Sequence, residues 1–388
     1  MTDVYLYDAV RTPRGKARPD GGLAGLSPQE LVRQQVAALS ARCGAFGPEA
    51  LILGCVTQSG AQGGHIAMLA KLHAGLPDAC AAHSINNYCA SGLSAIGQAV
   101  AKVASGEAAA VLAGGVESMS QSPFLGDQAS FYANAELPPR ARFVPPVLAA
   151  DRLASAEGIT RAELDAATLA SQQKAAATER DPLLQHSRIA TGALAGEECI
   201  RPQTTAESLA TAPPVFGALQ EEYAGALEGQ RFEPRHGIAH APPICDGAGL
   251  ALVGGEGLGP APRARVVAFA ESGGDPAASL TAGFAAMDKV LARSGMTLAD
   301  MDRIEFMEAF AVTIAKFLRD RDADPARVNV SGGHLAKGHP MGASGAILTS
   351  TLLDALDACA GRYGLVVLTG AMGVGAAMIV EGLDGPGG

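Results

Sequence analysis

The sequence predicts an α/β protein made of two similar halves with a domain inserted between them. Three observations carry that prediction. Short β-rich runs alternate with Ala- and Leu-rich helical runs over most of the chain. Local text recurs: CASGLSAI at 89–96 resembles GASGAIL at 342–348, and AAAVLAGGV at 108–116 resembles LVVLTGAM at 365–372. Helix and strand follow each pair at similar separations, the mark of an internal duplication of βαβ-type units. Between the halves, over 121–243, the texture turns to prolines, charges and irregular turns.

The elements follow in order. VYLYDAV (4–10) reads as a strand. A helix starts at Pro28, with Ser27 as N-cap and Glu30 three residues after the cap. ALILGCV (50–56) is a strand, 92–105 a helix, and 108–116 a buried strand that ends in glycines. The second half repeats this order. Residues 266–272 are a strand, 280–295 a helix, 302–310 a strand into a turn, 345–359 a helix, and 364–373 a strand into a Gly-rich turn. The uncharged run 365–380 is too short, and too broken by glycines, to span a membrane, so it reads as strand, turn, strand. The expected division is 1–120 plus 244–264 for the N-terminal half, 121–243 for the insert, and 265–388 for the C-terminal half.

Composition narrows the function. The 388 residues are 48% hydrophobic and carry a net charge of −10, a field that repels phosphates, so nucleic acid is excluded as a partner. An anionic ligand then requires a local basic pocket, for which the insert offers Arg140, Arg142, Arg152, Arg231 and Arg235. The N-terminal stretch has acids at Asp3 and Asp8 and no long apolar core, so no signal peptide is expected. Seven scattered cysteines without a CxxC pair argue against a disulfide framework and a zinc site, and fit a reducing cytoplasm.

Cys89 is the first candidate site residue. A cysteine among small residues is more often buried filler than a nucleophile. Here it precedes Ala-Ser-Gly and a helix, where free N–H groups and the positive helix end lower a thiol pKa and can hold an oxyanion. The second candidate is His339, fixed between Gly338 and Pro340 in GGHLAKGHPMGASG (332–345), which also holds His334 and Lys337. If the halves pack about a pseudo-twofold, the start of the second-half helix lies opposite Cys89, and His339 can take the thiol proton. His65, His73 and His83 lack clustered partners and read as structural or surface residues. Cys43, Cys55, Cys80, Cys199, Cys245 and Cys359 read as small buried residues.

These motifs fall in a known order. RTPRGK, NNYCASG around Cys89, GGVESMS from Gly114, DGAG from Asp246, EAFA from Glu308, NVSGGHLAKGHPMGASGA from Asn329 and RYGL from Arg362 together resemble the thiolase family along nearly the whole chain. The resemblance implies a five-layered αβαβα fold with a loop domain, a homodimer or homotetramer, and coenzyme A thioester chemistry in fatty acid metabolism. No covalently bound cofactor or metal is implied; acyl-CoA is the substrate. The family's nucleophilic cysteine matches Cys89 and its GHP histidine matches His339.

The departures matter too. Where the family has Asn before Glu-Ala-Phe, holding a water, this chain has Met307, which cannot hold one by a strong hydrogen bond. Where the family has a second cysteine as acid/base, an ungapped match places Thr369, a poor base. Ala371 matches the position whose backbone N–H completes an oxyanion hole, and Glu308 that of a residue supporting the site. A His-Met-Gly of the family falls on Pro145 to Val147, and a pantetheine-contacting Ser near Pro242. The leading reading is a thiolase-type acyltransferase. In it Cys89 forms an S-acyl enzyme, with His339 or a water held by Thr369 as the replacement base and His334 and Lys337 as weaker ones. Two alternatives stand beside it: an acyl-CoA thioesterase or acyltransferase to a non-carbon acceptor, and a non-catalytic acyl-CoA-binding partner subunit.

Overall fold

Apolar runs of five to ten residues leave no polar face, so their strands must be covered on both sides. The computed structural model, which describes residues 3–133 and 136–383, shows how this is achieved. The chain runs β1 (Tyr5–Arg11), β2 (Gly15–Lys16), α1 (Pro28–Cys43), β3 (Ala50–Gly54), α2 (Ile66–His73), β4 (Ala81–Ile85), α3 (Ser91–Ala104) and β5 (Ala110–Glu117). The insert contributes α4 (Pro146–Ala156), α5 (Arg161–Thr178), α6 (Ala206–Ala210) and α7 (Leu219–Glu222). Then follow β6 (Cys245–Gly254), β7 (Ala264–Gly273), α8 (Ala282–Ser294), β8 (Arg303–Phe306), α9 (Ala311–Asp320), α10 (His334–Lys337), α11 (Ser344–Asp357), β9 (Tyr363–Gly370) and β10 (Val374–Gly382).

The strand order is β4-β3-β5-β6-β1-β7-β10-β9-β8. Read outward from its middle, the order repeats. β6 is antiparallel to β1 and β5, as β10 is to β7 and β9. β3 is parallel to β5, as β8 is to β9. The parallel β3–β4 pair is echoed by a single bridge between Ile304 and Val328. In the sheet, the two halves pair through Tyr5↔Arg265 and Leu6↔Ala264. This is the mixed α/β duplication that the recurring text predicts.

Helices fill the remaining layers. α1 and α2 cover one face of the N-terminal strands, and α8 covers the C-terminal ones. α3 and α11 touch each other and strands of both halves, so they form the middle layer. Alternation along β5 shows the two-sided burial: Val111 and Ala113 enter one core, Ala110, Leu112 and Val116 the other. The middle helices approach closely because glycines face each other. A Cβ on Gly92 would lie 2.7 Å from the Gly342 carbonyl oxygen, and one on Gly345 would lie 2.1 Å from the Leu93 nitrogen. The small residues after Cys89 therefore serve the joint between the halves.

Several expectations need correcting. Ser27 sits at the N-cap of α1, but its side chain makes no capping hydrogen bond. Glu30 instead accepts from Arg33, Gln34 and His73, so stronger partners take the carboxylate. Cys359 is exposed, because α11 ends before it, while the other five non-nucleophilic cysteines are buried. β4 and β6 were not singled out by pattern. Among the described residues, no helix is long and apolar enough to cross a membrane.

Candidate active site

Cys89 is presented by a strained turn. Tyr88 has φ +46, a left-handed conformation that costs of order 1 kcal/mol for a residue of this size. Local hydrogen bonds hold it there: Tyr88 N–H donates to Asn86 Oδ1 (3.0 Å), Ser91 Oγ–H to the Tyr88 carbonyl (2.6 Å), and Asn87 N–H to Ser91 Oγ (2.8 Å). The turn leaves Cys89 two residues ahead of α3, half-buried and facing a cavity of about 390 Å3.

His339 reaches the same cavity from the other half. Gly338, with φ +99, lies over Cys245, whose Sγ would sit 2.7 Å from an added Cβ. His339 N–H donates to the Pro243 carbonyl (2.8 Å), which fixes the loop. The imidazole Nε2 then lies 3.1 Å from Cys89 Sγ, and Nδ1 lies 2.7 Å from Ser344 Oγ. Sulfur, ring and hydroxyl thus form a chain across the joint between the halves. Ala371, beside Met372 with φ +56, adds its backbone N–H to the Cys89 sulfur.

Burial sets the resting charges. The Cys89 thiol is pushed up to about 11 by desolvation, against the lowering effect of the N–H groups of Ala371 and Cys89. The expectation of a lowered thiol pKa is thereby corrected: desolvation outweighs the backbone donors. His339 is held down to about 3, by burial first and by the Arg14 charge second. The free site is a neutral thiol and a neutral imidazole.

Two buried carboxylates hold the loops. Glu117, at the end of β5, accepts from Val56 N–H (2.9 Å), Thr57 N–H (3.0 Å), Gln62 Nε2 (2.9 Å) and, across the joint, Gly342 N–H (2.9 Å). Glu308 accepts from Ser171 Oγ (2.7 Å), Asn329 Nδ2 (3.0 Å) and Leu335 N–H (2.9 Å), which links insert, EAFA turn and α10. Sequence reasoning passed over Glu117 and Ser344. The signal for Glu117 was an acid closing an otherwise apolar strand, which requires several donors if buried.

Other motifs bind the frame. Arg11 pairs with Asp354 (3.0 Å), and Arg14 N–H donates to Glu197 (2.9 Å), so RTPRGK anchors the insert to the core. Asp246 of DGAG accepts from Ser120 N–H (2.8 Å) and Oγ (2.5 Å). His65 caps α2 and His73 pairs with Glu30.

Of the remaining sequence candidates, Ala371 lines the cavity with Cys89 and His339, and so do Pro145, Val147 and Pro242. Met307, Glu308, Gly338 and Thr369 are not among the residues facing it. Met307 is buried in the main core, and the Thr369 Cβ lies against Gly283 of α8 with Oγ1 unpaired. His334 stacks edge-on to His339 at 5.1 Å, and Lys337 donates to Ser331 (3.0 Å); neither faces the cavity. None of Arg140, Arg142, Arg152, Arg231 and Arg235 lines it either. Basic side chains gather instead in a second hollow of about 670 Å3, at Lys16, Arg18 and Arg201, which shares Phe216, Ala241, Pro242 and Ile244 with the first.

Comparison with known proteins shows the family. Residues 4–221 match the N-terminal thiolase domain and residues 260–382 the C-terminal thiolase domain. The chain is 35% identical to the beta-ketoadipyl-CoA thiolase of Pseudomonas putida, across 98% of this chain and 100% of that one. It is 32% identical to the steroid 3-ketoacyl-CoA thiolase of Mycobacterium tuberculosis (99% and 95% covered). The 3-ketoacyl-CoA thiolase of Colwellia psychrerythraea is likewise 32% identical (98% and 100% covered).

Proposed function

The chain belongs to the thiolase family, and from that premise we propose that Cys89 and His339 carry its acyl transfer. The reaction is CoA-dependent: thiolytic cleavage of a 3-oxoacyl-CoA, or the reverse condensation with acetyl-CoA. With Nδ1–H donated to Ser344, His339 Nε2 offers a lone pair to the thiol. The thiol proton passes to Nε2 as sulfur attacks the 3-oxo carbon. The N–H groups of Cys89 and Ala371 hold the oxyanion, an effect worth about 100- to 1,000-fold per donor. The C2–C3 bond then breaks, and the acetyl-CoA enolate takes its proton from His339. Coenzyme A next gives its thiol proton to His339, attacks the S-acyl carbonyl and frees Cys89. The observation that carries this reading is the 3.1 Å contact between Cys89 and His339 at the cavity wall.

His339 serves as base in both half-reactions, since Thr369 is turned toward α8. We assign the second hollow to the phosphates of coenzyme A, facing Lys16, Arg18 and Arg201, with the pantetheine passing Pro242 and Ile244. Self-association is supported by exposed Met68, Leu69 and Leu72 on α2, beside the edge strand β4. Free cysteines throughout support a cytoplasmic setting.

The test is intact-protein mass after mixing with acetyl-CoA, followed by acetoacetyl-CoA cleavage. A 42 Da-type acetyl adduct (about one acetyl per chain) on wild type but not on Cys89→Ala is expected. Cleavage of acetoacetyl-CoA with coenzyme A is expected too. An adduct without cleavage favours the second reading, transfer to water or a non-carbon acceptor. The absence of a second cysteine at position 369 is the specific observation behind that reading.

A further inference from the structure

The acyl carbonyl is fixed at one point, between the Cys89 sulfur and the two N–H groups. Whatever the acyl group carries beyond that point lies along the walls of the 390 Å3 cavity not taken by the pantetheine, or in the narrow hollow beside it that also opens on Cys89 and is lined by Val56, Thr57, Tyr88, Tyr132 and Phe143. The insert supplies much of both. Among the described residues lining either there is no lysine, arginine, aspartate or glutamate. Their titratable side chains are Cys89, His339, Tyr88, Tyr132 and Tyr223. Arg142 lines a separate hollow, which shares Tyr223 with the larger cavity and Tyr132 and Phe143 with the narrow one, and its guanidinium donates to the carbonyls of Leu137 (2.8 Å) and Gly225 (3.0 Å). Lys16, Arg18 and Arg201 face the hollow assigned above to the coenzyme's own phosphates.

We propose that the acyl group transferred here is uncharged and apolar, a hydrocarbon chain or ring, selected by Phe124, Leu125, Val147, Leu219 and Tyr223. This deepens the thiolase reading and rests on Cys89 as the acylated atom. It parts from the substrate that gives the Pseudomonas putida relative its name, since a beta-ketoadipyl group ends in a carboxylate. An ionised carboxylate that meets no cation is disfavoured in such a cavity. An alkyl terminus gains from the same walls.

Matched pairs test the inference. Hexanoyl-CoA and adipyl-CoA have equal chain length and differ only at the last carbon, methyl against carboxylate. Each acylates Cys89 by forming a bond from sulfur to the carbonyl carbon while the bond to the coenzyme sulfur breaks. The Cys89 proton passes through His339 to the departing thiolate. Acylation is followed by intact-protein mass, which needs no carbon–carbon step. 3-Oxohexanoyl-CoA and 3-oxoadipyl-CoA are compared in the same way by cleavage with coenzyme A.

The hydrocarbon member is expected to react about 100-fold faster in each pair. A preference below about 10-fold, or a reversed one, overturns the inference. Selective acylation without cleavage of either 3-oxo substrate supports it while removing the carbon–carbon step from the function proposed above. No adduct from either acyl-CoA overturns both.

Discussion

The loop before α3 and the loop before α11 occupy equivalent places in the two halves, yet they do different chemistry. The first carries Cys89, and the recurring text places Gly342 at the matching point of the second. The second carries His339 and Ser344. The strand ends differ as well. β5 closes on Glu117, a carboxylate that ties the segment after β3 to the loop before α11, while β9 closes on Gly370 and delivers the Ala371 N–H to the sulfur. Duplication supplied two equal frames, and the site arises because their ends face each other and have diverged. Neither half holds both sulfur and imidazole.

The comparison can be broken first at its two chemical ends. Cys89→Ala is expected to lower kcat by about 10,000-fold or more and abolish the acyl adduct. His339→Ala is expected to lower kcat/KM by about 100- to 10,000-fold while leaving coenzyme A affinity within about threefold. Steady-state kinetics and calorimetric titration read both. A His339→Ala variant with near-normal turnover would make the second half mere scaffold.

Cutting the tie between the loops comes next. Glu117→Gln sets an amide NH2 against donors and is expected to cost about 2–3 kcal/mol in stability and at least about 10-fold in kcat/KM. Urea unfolding and kinetics together read it. Normal stability would mean the carboxylate carries little of the joint.

Ser344→Ala removes one neutral hydrogen bond to His339 Nδ1. A loss of about 1 kcal/mol, roughly fivefold in kcat/KM with little change in folding, is expected.

The pH profile sharpens the comparison without mutation. A free histidine loses its base form below about 6.5. His339, held down to about 3, keeps it, so kcat/KM should show no inflection from this group between pH 5 and 8 (about the usable range). The stability sign follows. Between about 6.5 and 3 the unfolded chain binds a proton that the folded site refuses, so this group makes stability fall as pH falls through that window. At the other end, the thiol raised to about 11 makes stability fall as pH rises from the unfolded thiol value toward 11. An inflection near 6.5 that vanishes in His339→Ala would contradict the buried, neutral imidazole.

The smallest effect is expected at Thr369→Val, which removes an unpaired buried hydroxyl. Stability should stay level or rise by up to about 1 kcal/mol, with turnover unchanged. A large loss of cleavage, with acylation intact, would restore position 369 to the chemistry.

Much of this was legible. The strands at 50–56 and 108–116 and the helices at 92–105 and 345–359 stand out because their apolar patterns are long and bounded by glycines. Cys89 and His339 were legible because each sits in a small-residue context before a helix. β4 was not, since its partly exposed pattern lacks an apolar run. The insert supplies Arg201 to the basic hollow, but not the arginines the sequence offered for it, and Lys16 and Arg18 come from the N-terminal half. Lys16 and Arg201 lie far apart in sequence, and Arg142 and Arg235 spend their guanidinium groups on nearby carbonyls.

By itself the sequence determined the duplication, the α/β class and the identities of sulfur and imidazole, because periodicity and residue type are local properties. Only the tertiary structure decided which way each side chain turns and which charges survive. Glu117 became a clasp across the joint because loops from both halves brought four donors to it. Thr369 turned to α8, and Cys89 and His339 rest neutral, because desolvation and facing direction depend on neighbours distant in the chain, about which a local pattern is silent.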